Sequence, residues 1–366
     1  MNRLHTLLQR LLAPIDPPLM LITALLIGFG LLVLASASND SPARFNSQIM
    51  NLGVSLVLMW GVAQVPPRTL MRFAVPIYVG GLLLLVAVAL FGDVSKGARR
   101  WLHIGVTRIQ PSEIMKIAMP LMLAWYFHQR EALLRLGDYG VAAVILAVPV
   151  GLIARQPDLG TSVLVLAAGF YVIFFAGLSW KLIAGLIVAG LASLPVVWSL
   201  LHDYQRNRIL TLLDPEQDPL GKGFHIIQST IAVGSGGITG KGWLHGSQAH
   251  LEFLPERHTD FIFAVLSEEF GLIGNAALLT LYGLLIGRGL VIAANAPTFF
   301  SRLLAGGITL IFFTYAFVNM GMVSGMLPVV GVPLPFISYG GTALVTLFLG
   351  IGILMSISRN RMLVQK

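Results

Sequence analysis

The chain has 366 residues, of which 56% are hydrophobic and only 11% charged, and its mean hydropathy of +0.82 is too high for a soluble domain of this length. It contains no cysteine, which excludes disulfide bonds and thiolate metal sites. Apolar runs long enough to cross a hydrocarbon core of about 30 Å recur along it. In chain order they are 19–35, 49–65, 73–91, 114–128, 139–154, 161–176, 180–201, 261–287, 303–325 and 342–357. The sequence therefore predicts an all-α polytopic membrane protein, with about ten transmembrane helices in a single integral membrane domain over residues 1–366.

The first apolar run has features of a secretory signal peptide. Arg3 and Arg10 precede it, and Ala35 and Ala37 form an Ala-x-Ala pattern at its end. The run is longer than a usual signal sequence and further spans follow it, so the sequence favours a first helix that is not cleaved.

The basic residues predict an orientation for the spans. With the N-terminus in the cytoplasm, the short inner loops are basic, as the positive-inside rule requires. These loops and the C-terminal tail contain Arg68, Arg72, Arg130, Arg135, Lys181, Arg288, Arg302, Arg359, Arg361 and Lys366. Because the number of spans is even, both termini are predicted to be cytoplasmic, and residues 202–259, between the seventh and eighth spans, form a large extracytoplasmic loop.

Two outer segments are also basic, against that rule. They contain Lys96, Arg99, Arg100, Arg108 and Lys116, and in the long loop Arg206, Arg208, Lys222, Lys241 and Arg257. A solvated surface explains the long loop equally well, because long loops cross the membrane regardless of charge. Lys116 is harder to explain, since an unpaired cation inside an apolar run costs a few kcal/mol. Glu113 lies three residues earlier, on the same helix face, and supplies a partner. The functional interpretation is an outward-facing site for an anionic ligand.

The loops contain two further patterns. "FHIIQSTIAVGSGG" predicts a short helix on or dipping into the membrane, whereas "SGGITGKGW" is not a P-loop, because Ser235 and Gly242 stand where Gly and Ser or Thr are needed. "LPVVGVPLPFISYGG" is rich in Pro and Gly between two spans. It predicts non-helical backbone at membrane depth, which is tolerated only where it is buried in protein or lines a cavity. A plain outer loop is the alternative.

A cluster of charges surrounds Asp260 in "FLPERHTDFIFAVLSEEFG". On a helix that starts near Thr259, residues 260, 264, 267, 271 and 274 share one face, and those after Asp260 are all small. An Asp in the first turn favours the helix dipole without any chemistry, so this pattern supports a structural and a functional role equally. Glu268 and Glu269 lie about two turns deeper, where ionisable groups need partners.

Motifs along the chain resemble the SEDS family (shape, elongation, division and sporulation proteins). They are "GARRWL", "QPSEIMK", "QPDLGTS", "DYQRNRI", "GSGGITGKGWLHG", "FLPERHTDFIFAVLSEEFGLIG" and "PVVGVPLPFISYGG". They follow the family order from Asp93 to the end, and "LLDPEQDPLGKGFHIIQS" is similar to the elongation branch rather than the division branch. The resemblance implies a GT-C-like fold and a peptidoglycan glycosyltransferase of the bacterial inner membrane, with its active site facing the periplasm. Such an enzyme polymerises lipid II, releases undecaprenyl diphosphate and works with a class B penicillin-binding protein, a transpeptidase, within the elongation machinery.

The resemblance also implies the roles of individual residues. The catalytic carboxylate falls on Asp260, the cavity motif on Glu113 and Lys116, and the acidic residue of "QPDLG" on Asp158. The further candidates for substrate binding are outer cations and the serine of "PFISYGG", namely Lys96, Arg100, Arg206, Lys241 and Ser338. No cofactor is assigned. A divalent cation, Mg²⁺ or Mn²⁺, is compatible with a diphosphate substrate, but its ligands are open, with Asp158 and Glu113 as candidates.

The chemistry agrees with these residues. The donor sugar of lipid II is α-linked to diphosphate and the polymer bond is β-1,4, so one displacement with one general base suffices. Diphosphate is a good leaving group that needs cations rather than a general acid. Two alternatives are a lipid II flippase and a non-catalytic scaffold of the elongation machinery. A flippase needs gates on both sides, whereas the unusual charges lie on the outer side, and a scaffold leaves the Asp260, Glu113 and Lys116 cluster unexplained.

Overall fold

A computed structural model of the chain describes residues 14–38, 41–95, 98–104, 107–201, 203–217, 222–250, 254 and 256–360. Ten helices of 17 or more residues dominate this part of the chain. They are α1 (Pro17–Ala37), α2 (Pro42–Ala63), α3 (Pro67–Phe91), α4 (Pro111–His128), α5 (Leu136–Arg155), α6 (Leu159–Phe175), α7 (Trp180–Leu200), α11 (Ile262–Ala294), α12 (Phe299–Val323) and α13 (Thr342–Arg359). Each corresponds to one of the ten predicted spans, so the predicted all-α multi-pass architecture is confirmed.

The ten long helices differ in hydropathy and in burial. Seven of them are long and apolar enough to cross a membrane by length and hydropathy alone. The other three are α2, α6, which has only 17 residues, and α4, which carries Glu113 and Lys116. The helices α4 and α12 are mostly buried and form the centre of the bundle, whereas α7 has no buried residue between Trp180 and Ser199.

Four shorter helical elements form most of the described part of the segment between α7 and α11. They are α8 (Asp203–Leu213), a 3₁₀ turn (Pro215–Gln217), α9 (Lys222–Ser235) and α10 (Ser247–His250). The helix α9 confirms the short helix predicted from "FHIIQSTIAVGSGG", and it packs against α11. We call the end of the bundle that carries this segment the loop side.

The predicted outer segment before α4 contains a small sheet that its sequence pattern did not reveal. Three antiparallel strands, β1 (Asp93–Ser95), β2 (Ala98–Ile104) and β3 (Thr107–Ile109), pair in the order β1–β2–β3. Pro111, whose missing N–H is no loss in the first turn of a helix, then begins α4. The sheet therefore leads directly into the helix that carries Glu113 and Lys116.

The helix α11 departs from the prediction at both ends and in its middle. It continues to Ala294 rather than ending near residue 287, so Arg288 lies within a helix and not in an inner loop. Gly271 interrupts the helix with φ +62, a conformation that favours glycine. The loop after α9 satisfies the freed backbone there, because Leu272 N donates to Gly237 O at 2.9 Å and Lys241 N to Glu268 O at 2.9 Å.

At the end opposite the loop side, Asp16 joins three helices. Its carboxylate caps α1 at Leu19 N and accepts two hydrogen bonds from the Arg288 guanidinium, at 3.0 and 2.6 Å. The Ser358 hydroxyl, near the end of α13, donates to the same carboxylate at 2.6 Å. Burial by itself raises the pKa of Asp16, but the hydrogen bonds from Arg288 and Ser358 outweigh it and lower that pKa below its usual value.

Candidate active site

The predicted irregular segment follows α12 and lies inside the protein. Residues 324–341 contain no helix or strand, and Val332 and residues 334–338 are buried. The ring of Phe336 stacks on Phe312, with centroids 5.8 Å apart. The prediction of non-helical backbone enclosed by protein is therefore confirmed, and the alternative of a plain outer loop is wrong.

This segment and α12 hold the backbone around Asp260. Three consecutive carbonyl oxygens each accept a hydrogen bond. The oxygen of residue 258 accepts from Tyr339 N at 2.8 Å and that of residue 259 from the Ser338 hydroxyl at 2.6 Å. The oxygen of Asp260 accepts from Asn319 Nδ2 at 2.9 Å. Asn319 Nδ2 also donates to Val332 O at 2.7 Å, so one amide joins both chain segments. The position of Asp260 is thus fixed through its backbone.

The carboxylate of Asp260 faces a position without a side chain. A Cβ atom built on Gly331, which has φ +72, would lie 3.3 Å from Asp260 Oδ2. Asp260 itself lies in a turn, and α11 begins at Ile262 rather than near Thr259. The expectation that Asp260 lies in the first helical turn is therefore wrong, and the small-residue stripe is interrupted at Gly271.

A second charged group, Lys116 with Glu113, contacts α12 at Tyr315, about one helical turn from Asn319. Lys116 is 2% exposed, and its Nζ donates to Glu113 Oε1 at 2.6 Å and to the Tyr315 hydroxyl at 2.5 Å. Tyr315 and Asn319 are four residues apart and share a helix face, about 6 Å apart along the axis. One face of α12 therefore connects the Lys116–Glu113 pair to Asp260, and the predicted pairing of Lys116 with Glu113 is confirmed.

Asp158 completes this group from the start of α6. Its Oδ1 caps the helix at Thr161 N, at 3.2 Å, and its Oδ2 accepts from Gln110 Nε2 at 3.0 Å. Arg100 donates to Pro157 O at 2.5 Å, beside it. A Cβ on Gly160 would lie 2.6 Å from Val330 O, so the start of α6 packs directly against the irregular segment. Asp158 and Arg100 thus lie near the same segment that contacts Asp260.

An apolar groove begins at Glu113. It has a volume of about 530 Å³ and is lined by α2, α3, α4 and α13, mostly through aliphatic side chains. Gln110, Glu113 and Asn51 are among its few polar residues. Glu113 Oε2 is buried and has no hydrogen-bond partner within the described chain. A polar group at the loop side thus adjoins an apolar groove whose lining suits a lipid chain.

Two of the candidate substrate-binding cations, Lys241 and Arg206, are bonded elsewhere. Lys241 Nζ donates to Glu268 Oε1 at 2.6 Å, and the fully buried Glu268 also accepts from the Ser247 hydroxyl at 3.0 Å. Arg206 donates to two carbonyl oxygens at the end of α7, of Trp198 at 3.0 Å and Ser199 at 2.7 Å. Lys96 lies outside the residues that the structure describes. The partners predicted for the two deep glutamates are confirmed, since Glu269 accepts from the Ser36 hydroxyl.

Comparison with known proteins identifies the family. Residues 17–363 match the profile of the cell cycle proteins FtsW, RodA and SpoVE. The chain belongs to this family. Over 353 residues it is 54% identical to the peptidoglycan glycosyltransferase MrdB of Escherichia coli K12, covering 96% of this chain and 95% of that one. It is 37% identical over 357 residues to the probable peptidoglycan glycosyltransferase FtsW of Geobacter metallireducens, with 94% of each chain covered. The greater similarity to MrdB, the RodA-type protein, agrees with the predicted elongation branch.

Solved structures of this family have the same fold. A chain from the structure "Structural coordination of polymerization and crosslinking by a peptidoglycan synthase complex" matches with a TM-score of 0.83 and 36% identity, covering 96% of this chain and 99% of that one. The rod shape determining protein RodA of Thermus thermophilus matches with a TM-score of 0.72 and 31% identity, over 94% and 97% of the two chains. The bundle described above is therefore the RodA-type fold.

In this member of the family, two site residues were not apparent from the sequence. Tyr315 and Asn319 lie in the ninth apolar run, where they looked like ordinary polar residues of a transmembrane helix. Their spacing of four residues was the available signal, because polar groups on one face of a span usually point to partners inside the bundle.

No three His, Asp or Glu side chains converge as metal ligands within the described residues, and the two acidic candidates for metal binding, Glu113 and Asp158, are bonded to Lys116 and Gln110.

Proposed function

We propose that this member of the family, a peptidoglycan glycosyltransferase, polymerises lipid II into glycan strands during cell elongation by a single inverting displacement. The relative that is 54% identical bears the name peptidoglycan glycosyltransferase. Asp260 acts as the general base that takes the proton of the acceptor hydroxyl. The observation that carries this assignment is the backbone framework around Asp260, with three consecutive carbonyls bonded and a glycine opposite the carboxylate. A base held in this way needs little reorganisation when the substrate arrives.

The Lys116 ammonium supplies a positive charge for one diphosphate. Two of the three Nζ donors of Lys116 bond to Glu113 and Tyr315, which leaves one for a substrate oxygen. Because the Lys116 ammonium is buried, it attracts an added anion more strongly than it would in water, although Glu113 offsets part of that attraction. The apolar groove that begins at Glu113 then accommodates the isoprenoid chain.

The proposed setting is the bacterial inner membrane, with both termini in the cytoplasm and the loop side in the periplasm. Arg288 and Arg359 lie at the end opposite the loop side, as the positive-inside rule favours for a cytoplasmic face. The partner is a class B penicillin-binding protein, which cross-links the strands. The structure matched with a TM-score of 0.83 is of a peptidoglycan synthase complex that coordinates polymerization and crosslinking, which supports this pairing.

The flippase alternative needs a path through the protein that opens on both sides. The Asp16, Arg288 and Ser358 bonds tie three helices together at the end opposite the loop side, while the charged site adjoins the loop side. A scaffold has no need for a buried lysine or for a framework around Asp260. Both observations favour catalysis over these alternatives.

The test is glycan synthesis from labelled lipid II in liposomes by wild type and Asp260→Asn, each purified with the penicillin-binding partner. The amide keeps the shape of the side chain but cannot act as a base, so we expect a rate loss of about 10²–10⁴-fold with normal partner binding. Asp93→Asn makes the same change at an exposed carboxylate in β1 and should retain activity. Polymerisation by Asp260→Asn within a few-fold of wild type would refute the assignment. Movement of lipid II between leaflets without polymer would favour the flippase.

A further inference from the structure

Gln48 is a buried polar residue of α2 that bonds to the irregular segment. It is 2% exposed, and its side-chain amide uses both of its polar atoms. Nε2 donates to Ser338 O at 3.3 Å, and Oε1 accepts from Gly340 N at 3.2 Å. Because a glutamine amide carries a donor and an acceptor, one side chain satisfies two backbone groups of the segment. Residues 338–340 are therefore bonded to α2 on one side.

On their other side, residues 338–340 bond to the turn that holds Asp260. The Ser338 hydroxyl donates to Thr259 O at 2.6 Å and accepts from Leu334 N at 2.7 Å. Tyr339 N donates to the carbonyl oxygen of residue 258 at 2.8 Å. The segment thus lies between Gln48 and the backbone of the two residues before Asp260, and it is bonded to both.

Gln48 also lies about one helical turn from the apolar groove without lining it. Asn51, three residues later on α2, lines the groove, and so do Gly341 and Thr342, which directly follow the bonded segment. Gln48 is not among the lining residues. It therefore joins the wall of the groove to the turn of Asp260, and a change at Gln48 leaves the lining of the groove intact.

These bonds have a consequence for catalysis. Ser338 is buried, and buried backbone groups that lose their partners favour another arrangement of the chain. A rearrangement of residues 338–340 would displace the turn that they hold, and a misplacement of about 1 Å at a reacting group costs about 10²-fold in rate. We propose that Gln48 is a positioning residue, which sets the place of the Asp260 carboxylate through Ser338, Tyr339 and Gly340. This inference rests on the proposed function, in which Asp260 is the base.

The experiment compares the steady-state kinetics of wild type and Gln48→Met in glycan synthesis from lipid II. The full chain is purified with its penicillin-binding partner, placed in liposomes, and its rate is expressed per folded protein from thermal unfolding of the same samples. Methionine is similar in length but offers no amide donor or carbonyl acceptor. We expect kcat to fall about tenfold or more and KM to stay within about twofold, because the position of the base matters only in the transition state.

Gln64 provides a matched control. It follows α2 at the opposite end, where its Oε1 accepts from Arg359 Nη1 at 3.2 Å. Gln64→Met makes the same chemical change next to the same helix but removes no bond to the irregular segment. We expect both kcat and KM of Gln64→Met to equal those of wild type.

A double-mutant cycle with Ser338→Ala tests whether Gln48 acts through the segment. Alanine removes the hydroxyl that bonds to Thr259 and Leu334. Independent losses multiply, whereas losses along one connected path do not. We therefore expect Gln48→Met to lower kcat by less than about threefold in the Ser338→Ala background. If Gln48→Met does not fold, Gln48→Asn keeps an amide that is one methylene too short to span both bonds, and the same cycle is measured with it.

Three results would overturn the positioning role of Gln48. They are an unchanged kcat in the Gln48 variant, a raised KM with unchanged kcat, and a full multiplicative loss in the Ser338→Ala background. Asp260→Asn, measured alongside, separates this inference from the proposed function. An inactive Asp260→Asn with a fully active Gln48→Met would refute only the positioning role, whereas a polymerising Asp260→Asn would refute the general base whatever Gln48→Met does.

Discussion

The buried ion pair of Lys116 allows its structural and catalytic roles to be separated. Lys116→Met removes the ammonium but keeps an unbranched chain, leaving the Glu113 carboxylate buried without its cation. Removing one partner of a buried pair costs about 3–5 kcal/mol, mostly because the other charge is stranded. Replacing both partners by neutral residues avoids that penalty. We therefore expect Lys116→Met to lower the free energy of unfolding by about 3–5 kcal/mol and the added Glu113→Gln to restore most of it.

Thermal unfolding in detergent and polymerisation of lipid II, each on the same preparations, check this prediction. Polymerisation is measured at a temperature at which every variant remains folded. We expect both the single and the double variant to be inactive, because neither supplies the ammonium to the diphosphate. Lys181→Met, at an exposed cation at the start of α7, is the control and should alter neither property. A stable double variant that polymerises within a few-fold of wild type would show that Lys116 is only the counter-ion of Glu113.

Two structural predictions concern other carboxylates. Asp16→Asn should lower the free energy of unfolding by about 1.5–3 kcal/mol, because the charged hydrogen bonds to Arg288 are lost. The pKa of Asp16 is lowered in the folded protein. Its contribution to the free energy of unfolding is therefore present above the unfolded pKa of about 3.9 and is lost as the pH falls through the folded pKa. Denaturation curves of wild type and Asp16→Asn should thus converge in acid. Glu268→Gln should release Lys241 and the loop after α9, and trypsin should then cleave after Lys241 faster than in wild type. Unchanged cleavage would show that the backbone bonds at Gly271 hold this loop without the ion pair.

The ten long helices were predictable because each depends on about 20 consecutive residues, whose hydropathy is a local property. The start and the break of α11 were not. Gly271 adopts φ +62 while backbone groups of residues 237 and 238, more than 30 positions away, bond to the residues that follow it. No local pattern encodes such a partner. The small sheet at 93–109 was missed because its strands have three to seven residues and lie in a segment that was notable for its charge.

The site was predictable where charge was scarce and ambiguous where it was plentiful. Glu113 and Lys116 stood out because a charge inside an apolar run requires a partner or a function, whereas the pattern around Asp260 was ambiguous until the family motif was considered. The cations of the long loop looked alike in the sequence, and only their partners distinguish them. Lys241 bonds to Glu268, Arg206 bonds to the end of α7, and Arg208 lines a small cavity together with His225 of α9. These partners come from distant parts of the chain or from helix ends, which spacing does not predict.

Gly331 offers a test of the space in front of the proposed base. Alanine there costs about 1–2 kcal/mol for its left-handed backbone, and its Cβ would lie 3.3 Å from Asp260 Oδ2. Gly325, in the same irregular segment, has the same φ of +72, but its Cβ would lie 3.4 Å from the Thr230 hydroxyl oxygen. The two alanine variants thus share the backbone strain, and only one of them places an atom against the Asp260 carboxylate.

The acceptor hydroxyl must reach a carboxylate oxygen of Asp260 within hydrogen-bond distance for its proton to be transferred. A methyl group in contact with Oδ2 occupies part of that approach. We therefore expect Gly331→Ala and Gly325→Ala to lose similar stability, and polymerisation of lipid II to fall at least about tenfold in Gly331→Ala alone. The measurement is the initial rate of glycan synthesis at matched folded protein, with thermal unfolding on the same samples. Equal loss of activity in both variants would attribute the effect to strain in the segment, and full activity of Gly331→Ala would place the reacting hydroxyl away from this face of Asp260.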